Sequence, residues 1–379
     1  MQHSATVLRL CTIAFAVAGV QASRADEIVK IGHAAPLTGE VAHLGKDEEN
    51  GARLAIEDFN KQGLVIGGKK VRLELDAQDD AADPRTATQV AQKLVDDRVV
   101  GVVGHLNSGC SIPASRIYSE AGVLQISPAS TNPTYTMQGF KSTYRLVATD
   151  AQQGPALAQY AKQVLHVKSV AIVDDSTAYG QGLANEFEKT AKVGGMNIVS
   201  HDATNDKATD FRAILTKIKG EHPDAIMYGG EDATGGPFAK QAMQLGLGMK
   251  ILAGDGVCTN KLQDLAGNAA KNVICSQPGM PVDQMEGGAG FEKAYEVRFN
   301  QPIELYAPFA YDAVGIIVTA MKRADSTDPA KVLAAMPGIK YKGVIGEVQF
   351  DAKGDLKEPI ITLYDYKGGK KSTLVVQKM

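Results

Sequence analysis

The 379-residue sequence lacks the motifs that mark the common nucleotide-dependent, hydrolytic and metal-dependent enzymes. It contains no Gly-x-x-x-x-Gly-Lys-Ser/Thr phosphate loop, no Gly-x-Gly-x-x-Gly after the first strand-like run and no Gly-x-Ser-x-Gly elbow. His-Glu-x-x-His is also absent, and the seven histidines and four cysteines do not show zinc-site spacing. We therefore expect a protein that is not an enzyme and that has no catalytic residue, resident metal or cofactor.

Long apolar runs and basic clusters are likewise missing. Beyond the N-terminus, no segment approaches the roughly 18 apolar residues that a membrane-spanning helix needs. The formal net charge of −3 is small and the two signs are mixed, which argues against nucleic acid as a partner. Tryptophan is absent, so intrinsic fluorescence depends on tyrosine.

The first 25 residues have the layout of a signal peptide. Arg9 precedes the apolar run Leu10–Val20, and a small-residue stretch ends at Ala25. We expect cleavage after Ala25, with Ala22 as the other candidate, and export to the periplasm; the alternative is an apolar N-terminal strand or helix. Removing residues 1–25 leaves 38 basic and 43 acidic residues, a formal charge of −5.

Three cysteines remain after Cys11 leaves with the signal peptide. Cys258 and Cys275 lie 17 positions apart, and an oxidising compartment permits a disulfide between them. A bridge that closes a loop of this size contributes about 3 kcal/mol to stability. The alternative is three unpaired buried thiols, because spacing alone does not fix pairing. We expect Cys110 to pack as a small apolar side chain.

Strand and helix patterns alternate along most of the remaining chain. Val99–Val103 and Ser169–Val173 are apolar runs of strand length, whereas Lys46–Lys61 carries apolar residues on one helical face. Such alternation predicts βαβ units and parallel sheets. About 350 residues are too many for one core, and the alternation restarts after Thr149. The predicted fold class is therefore α/β, with two doubly wound parallel-sheet lobes.

The pattern changes after Asn272. Helical segments are followed by two short late strands, Glu347–Phe350 and Ile360–Tyr364, which we expect to complete first one lobe and then the other. This assigns residues 26–148 plus 280–352 to lobe 1 and residues 149–279 plus 353–379 to lobe 2. Chain crossings of this kind form a hinge that lets two lobes close over a ligand.

Two hydroxyl-rich loops follow buried strands of the first lobe. Ser108 and Ser111 come after Val99–Val103, and Ser127, Ser130 and Thr131 come at and after the next apolar run. The carboxyl edge of a parallel sheet, beside helix N-termini, is where open α/β sheets bind small ligands. The loops therefore predict a cradle for a small polar molecule, with Ser108, Ser130 and Thr131 among its ligand-binding residues.

A free amino acid fits the donors and acceptors of these segments. Its carboxylate needs backbone N–H groups and hydroxyls, which Ser108 and Thr131 offer where each leads toward a helix. Its ammonium needs acceptors, for which Ala129 (carbonyl), Thr131 (hydroxyl) and Asp255 (charge) are candidates. Tyr179 follows a strand of the second lobe and is a candidate cover for the ligand. The alternatives are a turn aspartate and a partly buried surface tyrosine.

Two other polar features, an acid-rich run and a histidine, each allow two interpretations. The acid-rich run Asp76–Asp83 predicts a solvated loop and a helix cap before Pro84, and a metal site is the alternative. His105 lies beside the Ser108 loop and predicts a structural hydrogen bond. The alternative is a base for a serine, although no orienting acid is apparent.

The order and spacing of several short motifs carry more information than each motif alone. These are Gly104-His-Leu-Asn-Ser108, Ile112-Pro-Ala-Ser115, Ser127-Pro-Ala-Ser-Thr131, Gln153-Gly-Pro155, Ala171-Ile-Val-Asp-Asp175, Tyr179-Gly-Gln-Gly182, Tyr228-Gly-Gly230, Gly254-Asp-Gly-Val257 and Lys353-Gly-Asp-Leu356. Together they resemble the periplasmic branched-chain amino-acid-binding proteins, the leucine/isoleucine/valine receptors that feed an ATP-driven importer. The resemblance covers essentially the whole chain after the signal peptide.

The resemblance implies a type I periplasmic-binding-protein fold with three crossovers between its lobes. It implies Ser108 and Thr131 at the ligand carboxylate. It also implies Ala129, Thr131 and Asp255 at the ammonium, with Tyr179 across the cleft.

Several positions depart from the best-known members. Asp255 stands where those proteins use glutamate, Leu44 and Glu231 stand where they carry tyrosine, and Tyr306 stands where a phenylalanine lines the side-chain pocket. Leu44 and Tyr306 thus join the expected ligand-binding residues, as does Asp232. The charges of Glu231 and Asp232 near the pocket argue against a purely aliphatic preference and point to a polar or larger amino acid as the other candidate.

A disulfide of the family is also replaced. Asn107 and Ala82 stand where those members carry a cysteine pair, and the resemblance suggests that Cys258 and Cys275 supply a bridge elsewhere.

We expect an extracytoplasmic amino-acid-binding protein of an ABC importer, a monomer that takes branched-chain amino acids by hinge closure and delivers them to a membrane permease. The fold also serves amide and aromatic-acid uptake and ligand sensing, so a binder or sensor of another small polar ligand is the alternative. A periplasmic hydrolase using Ser108 and His105 is the third reading.

Overall fold

A computed structural model describes residues 26–379, so the predicted signal peptide in residues 1–25 lies outside the described part of the chain. The strands are β1 (Glu27–Ala35), β2 (Leu64–Ile66), β3 (Lys69–Asp79), β4 (Gly101–Gly104), β5 (Leu124–Ser127), β6 (Thr143–Arg145), β7 (Ser169–Asp174), β8 (Asn197–Ala203), β9 (Ala225–Gly229), β10 (Lys250–Ala253), β11 (Val273–Pro278), β12 (Lys340–Gly343), β13 (Gly346–Gln349), β14 (Ile360–Lys367) and β15 (Lys370–Lys378). The α-helices are α1 (Ala42–Gln62), α2 (Pro84–Asp96), α3 (Ser108–Glu120), α4 (Thr134–Met137), α5 (Asp150–Gln163), α6 (Ala178–Val193), α7 (Arg212–Glu221), α8 (Asp232–Gln244), α9 (Leu262–Ala266), α10 (Gly288–Phe299), α11 (Ala307–Ala324) and α12 (Pro329–Ala334).

The first sheet has the strand order β2-β3-β1-β4-β5-β6, and all its pairings except β2–β3 are parallel. Alternate residues of its strands face opposite layers. Val103 packs in a core with Ile56 of α1 and Ile317 of α11, whereas its neighbour Val102 packs with Leu94 of α2. The chain leaves β1 toward β3 and then returns to β4 on the other side, so the β1/β4 boundary is the point where small ligands bind such sheets.

The second sheet has the order β15-β14-β11-β10-β9-β7-β8. Strands β7 to β11 are parallel, and β14 and β15 add an antiparallel edge. Val173 packs with Phe211 and Phe238 on the α7–α8 side, and Ile172 packs with Phe187 on the α5–α6 side. The two predicted doubly wound lobes are confirmed, but the sequence pattern does not predict β2, β6, β11, β12 or β15. Four of these strands are short or lie at a sheet edge, whereas β11 is fully buried between β10 and β14 and was missed because it follows the change of pattern at Asn272.

The predicted disulfide between Cys258 and Cys275 is present, with the two Cα atoms 5.4 Å apart. It joins the loop after β10 to strand β11, so the alternative of three unpaired thiols is wrong. Cys110 is free and buried, packed among its neighbours as a small side chain.

The chain passes between the two sheets three times. It leaves the first sheet after β6, comes back to pack α10 and α11 against that sheet's core after β11, and crosses again between β13 and β14. The precise residues at which the lobes divide stay a prediction.

The acidic run after β3 differs from expectation. Strand β3 continues to Asp79, and Asp80 is fully buried, so the predicted solvated loop is wrong for these residues. Asp83 does cap α2, accepting a hydrogen bond from the Thr86 amide at 2.8 Å. Over residues 26–379 no group of three or more His, Cys, Asp or Glu side chains is arranged to hold a metal ion. In the same range no helix combines the length and apolarity needed to cross a bilayer.

Candidate functional site

The nine predicted ligand-binding residues are all buried, with no side chain more than 6% exposed. They come from both lobes, which contact each other directly. The nine are Leu44, Ser108, Ala129, Ser130, Thr131, Tyr179, Asp232, Asp255 and Tyr306.

Ser108 begins α3, immediately after the loop that follows β4. Asn107 is the N-cap residue but makes no side-chain cap bond, so the first amides of the helix stay available for an anion. The Ser108 hydroxyl accepts a hydrogen bond from the Asn132 amide at 3.2 Å, which ties this loop to the loop after β5. In that second loop the Thr131 hydroxyl is buried and has no partner in the protein. These groups form a neutral, donor-rich surface.

The other serines of the two loops support this surface from behind. Ser127 and Ser111 donate to the carbonyl of His105 at 2.8 and 3.0 Å, and Ser130 lies 2.5 Å from the Ser111 hydroxyl. The Ser130 side chain also reaches the Leu106 carbonyl at 2.9 Å. It is therefore committed to holding the loops together and does not point to the Ser108–Thr131 surface.

Arg145 fixes the second loop from below. Its fully buried guanidinium donates to the carbonyls of Ser130 and Asn132 at 2.8 and 3.0 Å and pairs with Asp355 at 2.5 Å. Because these bonds hold the backbone on either side of Thr131, the donor surface is set before any ligand arrives.

Asp255 provides the opposite wall from the loop after β10. Its carboxylate accepts hydrogen bonds from the hydroxyls of Tyr179 and Tyr306 at 2.8 and 2.9 Å and from the amide of Gln153 at 3.1 Å. Burial raises the pKa of Asp255, whereas these three donors act to lower it. Tyr306 belongs to the α11 end of the first lobe, so this cluster joins the two lobes.

The glycines beside Asp255 are required by close approach of the tyrosine and of an acid. A Cβ on Gly254 would lie 2.4 Å from the Tyr179 hydroxyl, and one on Gly256 would lie 2.4 Å from the Glu231 carboxylate. The Gly256 amide donates to the Tyr179 hydroxyl at 3.0 Å. The sequence Gly254-Asp-Gly256 thus lets these groups pack around one carboxylate.

An apolar cluster completes the enclosure. Leu44 is fully buried and packs in one group with Leu106, Ala129 and Tyr306. Leu44, the Ala129 backbone and the Tyr306 ring are therefore near neighbours, as a wall for a hydrocarbon side chain requires.

Asp232 is placed differently from the other predicted residues. One carboxylate oxygen contacts His43 Nε2 at 2.8 Å and accepts from Thr259 at 2.6 Å. None of its hydrogen bonds goes to Ser108, Thr131 or Asp255. Since His43 lies on α1 and Asp232 on α8, this pair is a contact between the lobes beside the Asp255 cluster.

Several acids around the site have buried oxygens without partners. Glu48 is fully buried and neither oxygen is bonded, while one oxygen of Glu231 is unbonded. Burial, followed by the charges of Asp80 and Asp47, raises the pKa of Glu48 well above its ordinary value. Burial, followed by other nearby acids, does the same to the pKa of Glu231. The enclosed region thus contains buried carboxyl oxygens that have no hydrogen-bond partner in the protein.

His105 is not arranged as a base for Ser108. Its two ring nitrogens contact Asp80 at 2.7 Å and the Tyr118 hydroxyl at 3.1 Å, and no bond joins them to a serine hydroxyl. The expectation that no acid orients His105 was wrong, because Asp80 comes from a distant part of the chain. The predicted structural hydrogen bond is confirmed, and the hydrolase reading loses its base.

Sequence reasoning did not assign a role to three residues that shape the site. Gln153 donates to Asp255 and accepts from Ser276 at 2.6 Å, and it appeared only as part of the motif Gln153-Gly-Pro155. No sequence pattern marks Arg145, because its partners are backbone carbonyls and the distant acid Asp355. Glu48 was detectable as an acid one helical turn after Leu44, on the same face of α1.

Two cavities of the protein are lined by none of the nine predicted residues. One, of about 140 Å³, is lined by Leu146, Gly279, Phe309 and Pro359 near the crossings between lobes. Another, of about 380 Å³, is lined by residues that include Gln277, Glu304 and Lys371. The Ser108–Asp255 region is instead closed by direct contact of its walls, so entry of a ligand requires the lobes to separate.

Comparison with known proteins shows a matching family and several similar proteins. The model of a family described as periplasmic binding proteins matches residues 28–370. A Leu/Ile/Val-binding protein homolog of Brucella abortus is 36% identical over 91% of each chain, and a leucine-, isoleucine-, valine-, threonine- and alanine-binding protein of Pseudomonas aeruginosa is 33% identical over 93% of this chain and 94% of its own. The solved structure of LivJ from Streptococcus pneumoniae, a branched-chain amino acid transporter substrate-binding protein in complex with isoleucine, superposes with a TM-score of 0.83 at 27% identity, covering 93% of this chain and all of that one.

Proposed function

This chain belongs to the periplasmic binding protein family, and from that membership we propose that it is the substrate-binding component of an ABC importer for amino acids. The Pseudomonas relative is named for binding leucine, isoleucine, valine, threonine and alanine, and the LivJ structure holds isoleucine. Branched-chain amino acids are therefore the first ligands to test. The observation that carries the proposal is the pairing of a neutral donor surface at Ser108 and Thr131 with a buried carboxylate at Asp255.

The carboxylate of the ligand binds the wall of the first lobe. The uncapped start of α3 supplies amide N–H groups and the positive end of a helix dipole. The hydroxyls of Ser108 and Thr131 add donors to this surface. This surface favours an anion without placing a cation in the site.

The ammonium of the ligand binds between the lobes. Asp255 supplies the negative charge and the Ala129 carbonyl supplies a further acceptor. Because Asp255 is already held by Tyr179, Tyr306 and Gln153, its orientation is fixed when the lobes are together. The ligand thereby contacts residues of both lobes and stabilises the closed arrangement.

Uptake proceeds by opening and closing of the lobes, without a chemical step. We assign residues 26–148 plus 280–352 to one lobe and 149–279 plus 353–379 to the other, with the three crossings as the hinge. The closed, loaded protein docks on the membrane permease as a monomer after export to the periplasm.

Isothermal titration tests this proposal. The exported protein, freed of bound ligand by unfolding and refolding, is titrated with leucine, isoleucine, valine, threonine and alanine. We expect stoichiometric binding of at least one of them, with no turnover of the matching ester or amide. A folded protein that binds none of these amino acids contradicts the proposal.

A further inference from the structure

A pair of polar residues bridges the two lobes beside the predicted ligand site. The amide nitrogen of Asn107 donates to one oxygen of Glu231 at 3.2 Å. The amide oxygen of Asn107 and the second oxygen of Glu231 are both buried and without a partner. With the amide nitrogen of Asn107 turned toward Glu231, the amide oxygen is left without a donor from the protein.

The position of this pair is fixed by its neighbours in the chain. Asn107 directly precedes Ser108, on the wall proposed for the ligand carboxylate. Glu231 packs against Gly256, next to Asp255, as the 2.4 Å approach to a Cβ on that glycine shows. The unpartnered acceptors therefore lie between the groups proposed for the two charged ends of the ligand, on the side closed by the second lobe.

A second unpartnered group lies on the first lobe. Glu48 is one helical turn after Leu44 on α1, so it lies on the same helix face as Leu44, which packs with Ala129 and Tyr306. It is fully buried and both its oxygens lack partners. This observation is independent of the Asn107–Glu231 pair, because it involves a different element.

In the described part of the chain, no positively charged side chain pairs with these carboxyl groups. Within residues 26–379 no lysine, arginine or histidine nitrogen forms an ion pair with Glu48, Glu231 or Asp255. The ammonium of an amino acid is engaged at Asp255 and Ala129. A ligand with an aliphatic side chain would leave the remaining acceptors buried and unsatisfied, which is unfavourable.

We propose, on the basis of the amino-acid-binding function above, that the pocket prefers an α-amino acid whose side chain carries a hydrogen-bond donor, a hydroxyl or an amide, over the aliphatic amino acid of the same shape. The donor binds Glu231 and Asn107, and the hydrocarbon part of the side chain packs against Leu44 and Tyr306.

Two isosteric pairs of ligands test the inference directly. Threonine matches valine and asparagine matches leucine in shape, so each pair differs mainly in polarity. With the refolded wild-type protein, we expect the polar member of at least one pair to bind about 10-fold or more tightly in isothermal titration. Replacement of the acid by a chain of similar length, Glu231→Met, should shift that ratio by about 10-fold or more toward the aliphatic member. The exposed acid at the end of α3 provides the control, and Glu120→Met should leave the ratio unchanged.

The outcomes separate this inference from the proposed function. If the wild-type protein binds valine and leucine as tightly as threonine and asparagine, or more tightly, the proposed preference is wrong but the amino-acid function stands. Water molecules bound to the unpaired groups would give this result. Absence of all amino-acid binding by the folded protein overturns both. If Glu231→Met does not fold, the comparison of the two ligand pairs on the wild-type protein still decides.

Discussion

The two walls of the cleft differ in chemistry although both stand at the carboxyl edges of parallel sheets. The wall of the first lobe is built mainly from serine and threonine hydroxyls, and most of these are bonded to backbone groups of the same lobe. The wall of the second lobe presents the acids Glu231 and Asp255 and the aromatic ring of Tyr179. The first wall is built mainly from hydroxyl groups, and the second presents carboxyl groups.

This difference indicates that the two walls have separate roles in ligand binding. Arg145 and the serines bond to backbone carbonyls of the first lobe itself, so these bonds need no contact with the second lobe. By contrast, Asp255 gains a donor from the opposite lobe, Tyr306, only when the cleft is closed. We infer that the first wall receives the ligand and that the second wall determines how firmly the closed state is held.

Loss of the charge on the second wall is the strongest test of this division. Asp255→Ala should weaken amino-acid binding by about 2–5 kcal/mol, because it removes the buried acid proposed to bind the ammonium and leaves its three donors unpaired. Isothermal titration measures the change.

Two controls sharpen this prediction. Asp255→Asn keeps the shape but not the charge, and we expect it to lose most of the same affinity. Asp206→Ala removes an exposed acid of the second lobe and should have little effect. Parent-like affinity in Asp255→Ala would show that this residue is a turn aspartate.

The disulfide tests whether the second wall depends on its support. Cys258 lies three residues after Asp255, and its bond to Cys275 anchors that loop to β11. The double variant Cys258→Ala/Cys275→Ala should lose about 3 kcal/mol of stability, because the unfolded chain regains the freedom of the opened loop. Denaturant unfolding measures this loss. Cys110→Ala is the control for removal of a thiol, and an equal loss there would mean that packing and not the bridge is responsible.

Two serines of the first wall separate contact with ligand from support of the loops. Ser108→Ala should weaken amino-acid binding by about 0.5–1.5 kcal/mol, the contribution of one hydrogen bond, with a smaller change in stability. Ser130→Ala should do the opposite, because its hydroxyl is bonded within the lobe. Titration and denaturant unfolding of both variants give the comparison. The same pattern in the two variants would contradict the assignment of separate roles.

Features of the two walls could be predicted from the sequence where they depend on neighbouring residues, and not where they depend on residues far apart in the chain. The alternating apolar runs predicted both sheets, and the hydroxyls after β4 and β5 predicted the first wall, because these signals are local. The disulfide was predictable as a choice among few cysteines. The late antiparallel strand β15 was not, because it pairs with β14 at the edge of a sheet and its residues are only partly buried.

Contacts between distant segments account for what the sequence did not predict. The Asp80–His105 pair joins residues 25 positions apart, and the Arg145–Asp355 pair joins residues 210 positions apart. No periodicity relates such residues. Ser130 was predicted to bind ligand as one of the hydroxyls of the loop after β5, but its hydroxyl donates to the Leu106 carbonyl within the lobe. Neighbours on a loop can face opposite ways, and only the three-dimensional structure distinguishes them.

The last prediction is a slope of stability against pH and concerns the acid at the start of α5, Asp150. Burial, together with the nearby charge of Asp255, raises the pKa of Asp150 to about 8. In the unfolded chain its pKa is about 4, so the folded state holds the proton more strongly between pH 4 and pH 8. Stability from this group is therefore complete below pH 4 and falls as the pH rises toward 8, by at most about 1.4 kcal/mol per pH unit. Asp150→Asn removes this contribution, so its stability should fall less steeply than that of the parent.

Denaturant unfolding at pH 4.5, 6 and 7.5 measures the difference between the two slopes. The pKa of Asp175 is raised to about 6 and that of Asp312 to about 7, in both cases chiefly by burial, so a residual decline with pH remains in the variant. Asp206→Asn, at an exposed position, should follow the parent curve. Parallel curves for parent and Asp150→Asn would mean that Asp150 is ionised in the folded protein.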